Sequence, residues 1–265
     1  MADSIRTPPL RRVVAPRTSE MAARQIADLV LRRQLAEGER LPSETALGAR
    51  LGISRASVRE ALRLLESWGL VRVERGRGRG PVVRHPGIGD MTRGVAMLLD
   101  TRGGTLAEVT EARIAIESAC IRLAAAKRDE AALGALLASV DSVSPGTPEW
   151  EEHTVAFHTA LATATGNVVL ETVVASLGGL IRYSASLAAL SPESQGGTLR
   201  AHRRIAQALL AGNPARAERR LVRHMQAFLE LMQTRYAVDV GSLTAGLIRS
   251  DEVPEPDRRG VRPGR

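Results

Sequence analysis

The sequence predicts a mainly α-helical protein in two parts. A small unit of three helices and a β-hairpin comes first, followed by an all-α antiparallel helical bundle. Three observations carry this reading. Between about residues 18 and 236, nearly every periodic segment places apolar residues at three- and four-residue spacing. The one clear change of period lies at Leu70–Val83, where short β-branched runs flank Arg75-Gly76-Arg77-Gly78-Arg79-Gly80. Charge is also segregated: residues 1–80 carry sixteen arginines against nine acidic residues, a net +7, leaving +1 of the total +8 for the rest. That asymmetry predicts a polyanion-binding module joined to a nearly neutral one. All but one of the 37 basic residues are arginine. A compositional bias explains that choice over lysine, but not the segregation.

A chain of 265 residues suits two modest domains, and 44% hydrophobic content excludes a wholly disordered one. No apolar run is long enough to cross a membrane, and the N-terminal twenty residues lack the apolar core of a secretory leader. Cys120 is the only cysteine, which excludes an internal disulfide and a multi-cysteine zinc site. A cytoplasmic location is expected.

Residues 1–17, with Pro8, Pro9, Pro16 and four arginines, read as a flexible basic arm. The first helix is expected from about Ser19 to Glu37, carried by Ala22, Ile26, Leu29 and Val30, with Gly38 as its C-cap. Pro42 then breaks the chain, and Ser43 caps a short second helix that runs through Leu51 and ends at Gly52. Ser54 caps a third helix, Arg55 to Trp68, terminated by Gly69. Two short helices around a glycine-containing turn make a helix-turn-helix, and the hairpin that follows is its wing. Residues 18–85 are therefore expected to be a winged helix-turn-helix DNA-binding domain.

On the third helix, Val58, Ala61, Leu62 and Leu65 form the expected buried stripe. Arg55, Ser57 and Arg59 lie near its N-terminus and largely off that stripe. This is where a recognition helix reaches base edges; arginine can pair guanine in bidentate fashion, and serine suits phosphate. The arginines and glycines of the wing tip suit minor-groove or phosphate contact. The alternative is an ordinary helical bundle with a solvated basic face.

Residues 23–83, with the string LPSETALGARLGISRASVREALRLLESWGLVRVERGRG, resemble the winged helix-turn-helix of GntR-family transcription regulators. The resemblance implies DNA contact by Arg55, Ser57 and Arg59, with Ser54 at the helix cap. It adds Thr45 on the preceding helix and Arg75, Gly76 and Arg77 in the wing.

Residues 88–236 read as six or seven helices. They are expected at about Met91–Thr101, Thr105–Lys127, Glu130–Val140, Thr147–Thr165, Val168–Leu190, Ser191–Ala211 and Pro214–Tyr236. In the second of these, Val109, Ile114, Ile116 and Ala119 are among the expected apolar positions. No segment reads as a strand, so an antiparallel bundle is expected. Residues 237–265 form a polar tail, expected to be disordered.

Three histidines share faces with apolar neighbours: His158 with Leu161 and Ala162, His202 with Ile205 and Leu209, His224 with Leu221 and Met232. All three should face the bundle interior. Neutral imidazoles converging from separate helices can hold a divalent ion, or can be hydrogen-bonded core residues. Arg113 and Arg182 also lie on helices expected to line the interior. Each is either an anchor for an anionic effector or a member of a surface salt bridge.

Residues 88–232 resemble the FCD ligand-binding domain of the FadR subfamily of GntR regulators. The matching segments are EARIAIESACIRLAA, FHTALATATGN and AHRRIAQALLAGNPARAERRLVRHM. The resemblance implies a metal (zinc, nickel or manganese) held by His158, His202 and His224, and an effector anchored by Arg113. In that family an aspartate stands four residues before the first histidine; here the position is Thr154. Two readings follow: a three-histidine site completed by water or an effector carboxylate, and a metal-free effector pocket. The implied function is a homodimeric repressor on a palindromic double-stranded operator, answering a small organic acid and acting without a membrane. A metal-dependent hydrolase is the alternative from another class; it has no evident general base and leaves the N-terminal half unexplained.

Overall fold

A computed structural model describes residues 17–74, 80–185, 190–236 and 240–241, the side chains of 183–185 excepted. Within them lie ten helices and one two-stranded antiparallel sheet. The chain divides into two compact units, residues 1–87 and 88–265, each with its own apolar core.

The first unit holds α1 (Thr18–Leu31), α2 (Glu44–Leu51), α3 (Arg55–Ser67), β1 (Val71–Val73) and β2 (Pro81–Val83). Its core gathers Ala23, Ile26 and Val30 of α1, Leu47 of α2, and Val58, Leu62 and Leu65 of α3. Helix α1 ends at Leu31, six residues before the expected end, and Gly38 is not its cap. The Gly38 amide donates instead to the Val83 carbonyl at 2.9 Å, Val83 donates to Glu39 at 2.8 Å, and Leu41 donates to Pro81 at 2.9 Å. These sheet-like bonds come from residues about forty positions away. They override local helix propensity, and they bury Leu41 in the core.

Helices α2 and α3 meet at a tight turn. Gly52 has φ +66°, a conformation that favours glycine, and caps α2. Gly48 is where the two helices come closest: a Cβ there would lie 3.0 Å from the Ile53 carbonyl oxygen and 3.6 Å from Val58 Cγ2. The strands pair Val71 with Val83 and Val73 with Pro81. Residues 75–79 of the wing tip, including Arg75, Gly76 and Arg77, lie outside the described residues, as do residues 1–16 and 242–265 of the arm and tail.

The second unit holds α4 (Ile88–Thr101), α5 (Leu106–Lys127), α6 (Glu130–Asp141), α7 (Trp150–Thr163), α8 (Val168–Ala185), α9 (Pro192–Leu210) and α10 (Pro214–Arg235). Helix α7 begins at Trp150 because Thr147–Glu149 form a turn, closed by the Trp150 amide on the Thr147 carbonyl. Helix α5 opens with a full capping box between Thr105 and Glu108. Its buried stripe is Leu106, Val109, Thr110, Arg113, Glu117, Cys120, Ile121 and Ala124. Ile114 and Ile116 are only partly buried, so the apolar positions expected for this helix identify its inner face poorly. An ion pair occupies the middle of that face, which hydrophobic periodicity does not register.

Candidate functional site

In the N-terminal unit the exposed end of α3 carries the DNA-facing candidates. The Ser54 hydroxyl accepts from the Ser57 amide at 3.1 Å and lies 2.9 Å from the Ser57 hydroxyl. This caps the helix and fixes both serines at its positive end. Thr45, Ser54, Arg55 and Arg59 are exposed and Ser57 is half-buried. Arg55 and Arg59 have no ion pair among the described residues, whereas Arg63, one turn on from Arg59, pairs with Glu60 at 3.6 Å. The guanidinium groups nearest the helix N-terminus thus stay open to a ligand. Val58, Ala61, Leu62 and Leu65 face inward and hold the helix on the core.

In the bundle, four helices bring titratable side chains to one place. His158 and His202 are buried and His224 is half-buried. Each offers one ring nitrogen, and these three atoms lie within 4.8 Å of one another. His202 Nε2 and His224 Nε2 are 3.0 Å apart. The His158 and His202 rings stand edge to face at 4.9 Å, and Phe157 stacks on His202 at 4.0 Å, which fixes its plane.

Glu117 organises the rest. It is fully buried and accepts from Arg113 Nε at 2.9 Å through one oxygen and from His158 Nδ1 at 2.6 Å through the other. A carboxylate can only accept, so His158 carries its proton on Nδ1 and presents the lone pair of Nε2. Burial alone would raise the Glu117 pKa, but Arg113 and His158 outweigh it and bring it down to about 2. Burial lowers all three histidines. For His202 the neighbouring His224, His158 and Arg113 add to it, and for His224 it is His158 and Arg113. The three imidazoles are therefore held in the neutral form, and across the His202–His224 Nε2 contact one ring donates and the other accepts. The Glu117–His158 bond is the pattern in which a carboxylate orients a ligating histidine from behind.

Beside the histidines is a narrow cavity lined by Arg113, Trp150, Thr154, His158, Thr198 and His224, among others. Three polar atoms of its lining, Arg113 Nη2, Trp150 Nε1 and Thr154 Oγ1, are buried without a hydrogen-bond partner. Such orphaned groups are rare, because each costs roughly 1–3 kcal/mol when left unpaired.

The predicted residues are thus partly united. Arg113 joins the histidines, and it is buried rather than a surface salt-bridge member. Arg182 lines a different cavity of about 420 Å³, between α4, α7 and α8, with Thr92, Glu152 and Thr159. Neither Glu117 nor Thr198 is among the residues that the sequence singles out. The spacing of Glu117, one turn after Arg113, was the available signal for the first. Among the described residues, the cluster of histidine, cysteine and carboxylate side chains that could hold a metal is His158, His202 and His224; no carboxylate joins it.

Comparison with known proteins accords with this layout. The family profile for bacterial regulatory proteins of the gntR family matches residues 18–80, and the FCD domain profile matches residues 108–227. The transcriptional repressor NanR of Cronobacter sakazakii is 30% identical over 229 residues, covering 84% of this chain and 88% of that protein. NanR of Escherichia coli K12 is 30% identical over 233 residues, covering 84% and 86%. A solved GntR protein of Streptococcus agalactiae shares the fold, with a TM-score of 0.60 at 24% identity over 80% of this chain and 99% of that one. The NanR relatives are transcriptional repressors of the helix-turn-helix type. The chain belongs to the gntR family of bacterial regulatory proteins and pairs their helix-turn-helix with an FCD domain.

Proposed function

We propose that the protein is a cytoplasmic transcription repressor that binds a palindromic operator as a homodimer and answers a small carboxylate bound in its FCD domain. The carrying observation is the trio of unpartnered buried groups, Arg113 Nη2, Trp150 Nε1 and Thr154 Oγ1, gathered beside the histidines. All three are donors, and one carboxylate has enough lone pairs to accept from each. Repression is supported by the NanR relatives, which are transcriptional repressors. A dimer is supported by the short reach of one recognition helix, which reads only a few base pairs.

The histidine set fits a divalent metal. Three ring nitrogens from three helices lie within 4.8 Å of one another, the His202 and His224 Nε2 atoms 3.0 Å apart. Three neutral nitrogens suit zinc or nickel better than manganese, which prefers oxygen. His158, His202 and His224 would hold the ion, which when bound supplies a positive charge and an open position for an effector oxygen. The Glu117 charge is largely offset by Arg113, so the effector carboxylate takes the place of the missing aspartate at Thr154.

The cavity leaves only about 20 Å³ for the centre of a water-sized molecule. That holds a water but not an organic acid. Effector entry must therefore move apart the side chains of α5, α7 and α10 that line it. This supports a coupling in which occupancy shifts the arrangement of the helices and, through it, operator affinity.

The test is elemental mass spectrometry on untagged protein beside a His202→Ala, His224→Ala double variant. Near-stoichiometric zinc or nickel in the wild type alone is expected. Absence of metal from both sinks the metal-bound reading and leaves an effector held by Arg113, Trp150 and Thr154. Failure of the wild type to bind any small carboxylate sinks the effector reading itself.

A further inference from the structure

On the outer side of the bundle, α9 and α10 enclose a groove of about 540 Å³. Arg204 of α9 and Arg216, Arg219, Arg220 and Arg223 of α10 line it, with His224 at its inner side. The α10 arginines recur at three- and four-residue spacing, so one face of a single helix presents four guanidinium groups. No acidic residue lines the groove. The nearby carboxylates are committed elsewhere: Glu218 to Arg122 at 2.7 Å and Asp141 to Arg203 at 2.6 Å. Among the described residues, none of the five lining arginines has an ion pair. Arg220 is half-buried and donates to the Arg204 carbonyl. Burial, and then the charges of Arg216, Arg204 and Arg223, hold its pKa below the usual arginine range. Five like charges therefore face one concavity, and no acidic residue among the described ones lines it.

We infer that this groove is a binding site for a multiply charged phosphate-bearing ligand, of the charge of a di- or triphosphate. The class follows from charge and shape. A monocarboxylate would leave four of the five charges uncompensated. A linear triphosphate carries about four negative charges at neutral pH, and its oxygens match the planar donor forks of several arginines at once. The groove is concave, which suits a compact anion rather than the convex backbone of a duplex. His224 lines both this groove and the inner cavity, so a ligand here lies against one of the three histidines. The site is independent of the carboxylate effector proposed above.

The test uses full-length protein and inorganic tripolyphosphate, titrated calorimetrically at fixed ionic strength. Saturable binding of one tripolyphosphate per chain is expected. An Arg219→Ala, Arg223→Ala double variant should bind about tenfold more weakly or worse, while an Arg55→Ala, Arg59→Ala variant keeps its affinity within about twofold. Both pairs include only exposed arginines, so unchanged melting temperatures should confirm that folding is intact. Loss that follows Arg55 and Arg59 would place the anion on the DNA-binding unit and overturn the site. Equal binding by all three proteins would mean an adventitious ion only. Orthophosphate binding as tightly as tripolyphosphate would overturn the multiply charged class. An effect of Arg219 and Arg223 on duplex DNA affinity with no tripolyphosphate binding would give the groove to nucleic acid instead.

Discussion

Helix α3 and the interior of the bundle use arginine in opposite ways. On α3, Arg55 and Arg59 are exposed beside a helix N-terminus and have no ion pair among the described residues. In the bundle, Arg113 is 4% exposed and tied to a fully buried glutamate. The first arrangement costs the fold little, because water solvates each charge. The second is costly to break, because a buried charge that loses its partner has no water to turn to. Binding surfaces can therefore be changed without unfolding the protein, whereas the inner site is part of the structure that holds the bundle together.

The largest expected effect follows from that contrast. Glu117→Ala strands the Arg113 charge and leaves the His158 Nδ1 proton without an acceptor. It should destabilise the bundle by about 3–5 kcal/mol in denaturant unfolding, and an Arg113→Met, Glu117→Leu double variant should recover a large part of it. A Glu117→Ala bundle as stable as wild type would erase the distinction between the units.

The next effect is on binding. Arg55→Ala and Arg59→Ala should each weaken operator affinity by about 1–3 kcal/mol and flatten its salt dependence, with unfolding unchanged. Loss of stability in either variant would show that these arginines also support the fold. A smaller change sharpens the same point within one helix. Ser54→Ala removes the cap on the Ser57 amide and should cost the N-terminal unit about 1 kcal/mol. It should also lower operator affinity by freeing the first turn of α3.

The mildest effect is one of pH on metal-free protein. The folded pKa values of His158, His202 and His224 lie below the ordinary 6.5. On acidification the unfolded chain takes up protons first, so bundle stability is full above about pH 6.5 and declines below it. Glu117, with a folded pKa near 2 against 4.5, adds a further loss once the pH falls below about 4.5. A bundle melting temperature that rises between pH 6.5 and 5 would contradict this assignment of neutral imidazoles.

What could be read in advance differs between the units for a physical reason. The candidates Ser54, Arg55, Ser57 and Arg59 lie at the start of one capped helix, so they follow from local spacing. The first unit hid only what distant residues impose, such as the end of α1 set by hydrogen bonds to β2. The three histidines were legible because each sits on an apolar helical face. The carboxylate behind them was not, because Glu117 reaches His158 across 41 residues from another helix. Its burial with Arg113 also breaks the apolar stripe by which an inner face is recognised. Likewise, which donors stay unpaired depends on packing between α5 and α7, which spacing along one helix does not specify.

The central claim is that one chain couples operator binding to occupancy of the inner site. The direct measurement is the dissociation constant for an operator selected from random duplex DNA, with and without a saturating small carboxylate. Wild type and the His202→Ala, His224→Ala variant should be compared side by side. The account predicts a change of about 5- to 150-fold in wild type and little or none in the variant. An unchanged dissociation constant in wild type with the carboxylate demonstrably bound, or the same shift in both proteins, would contradict it.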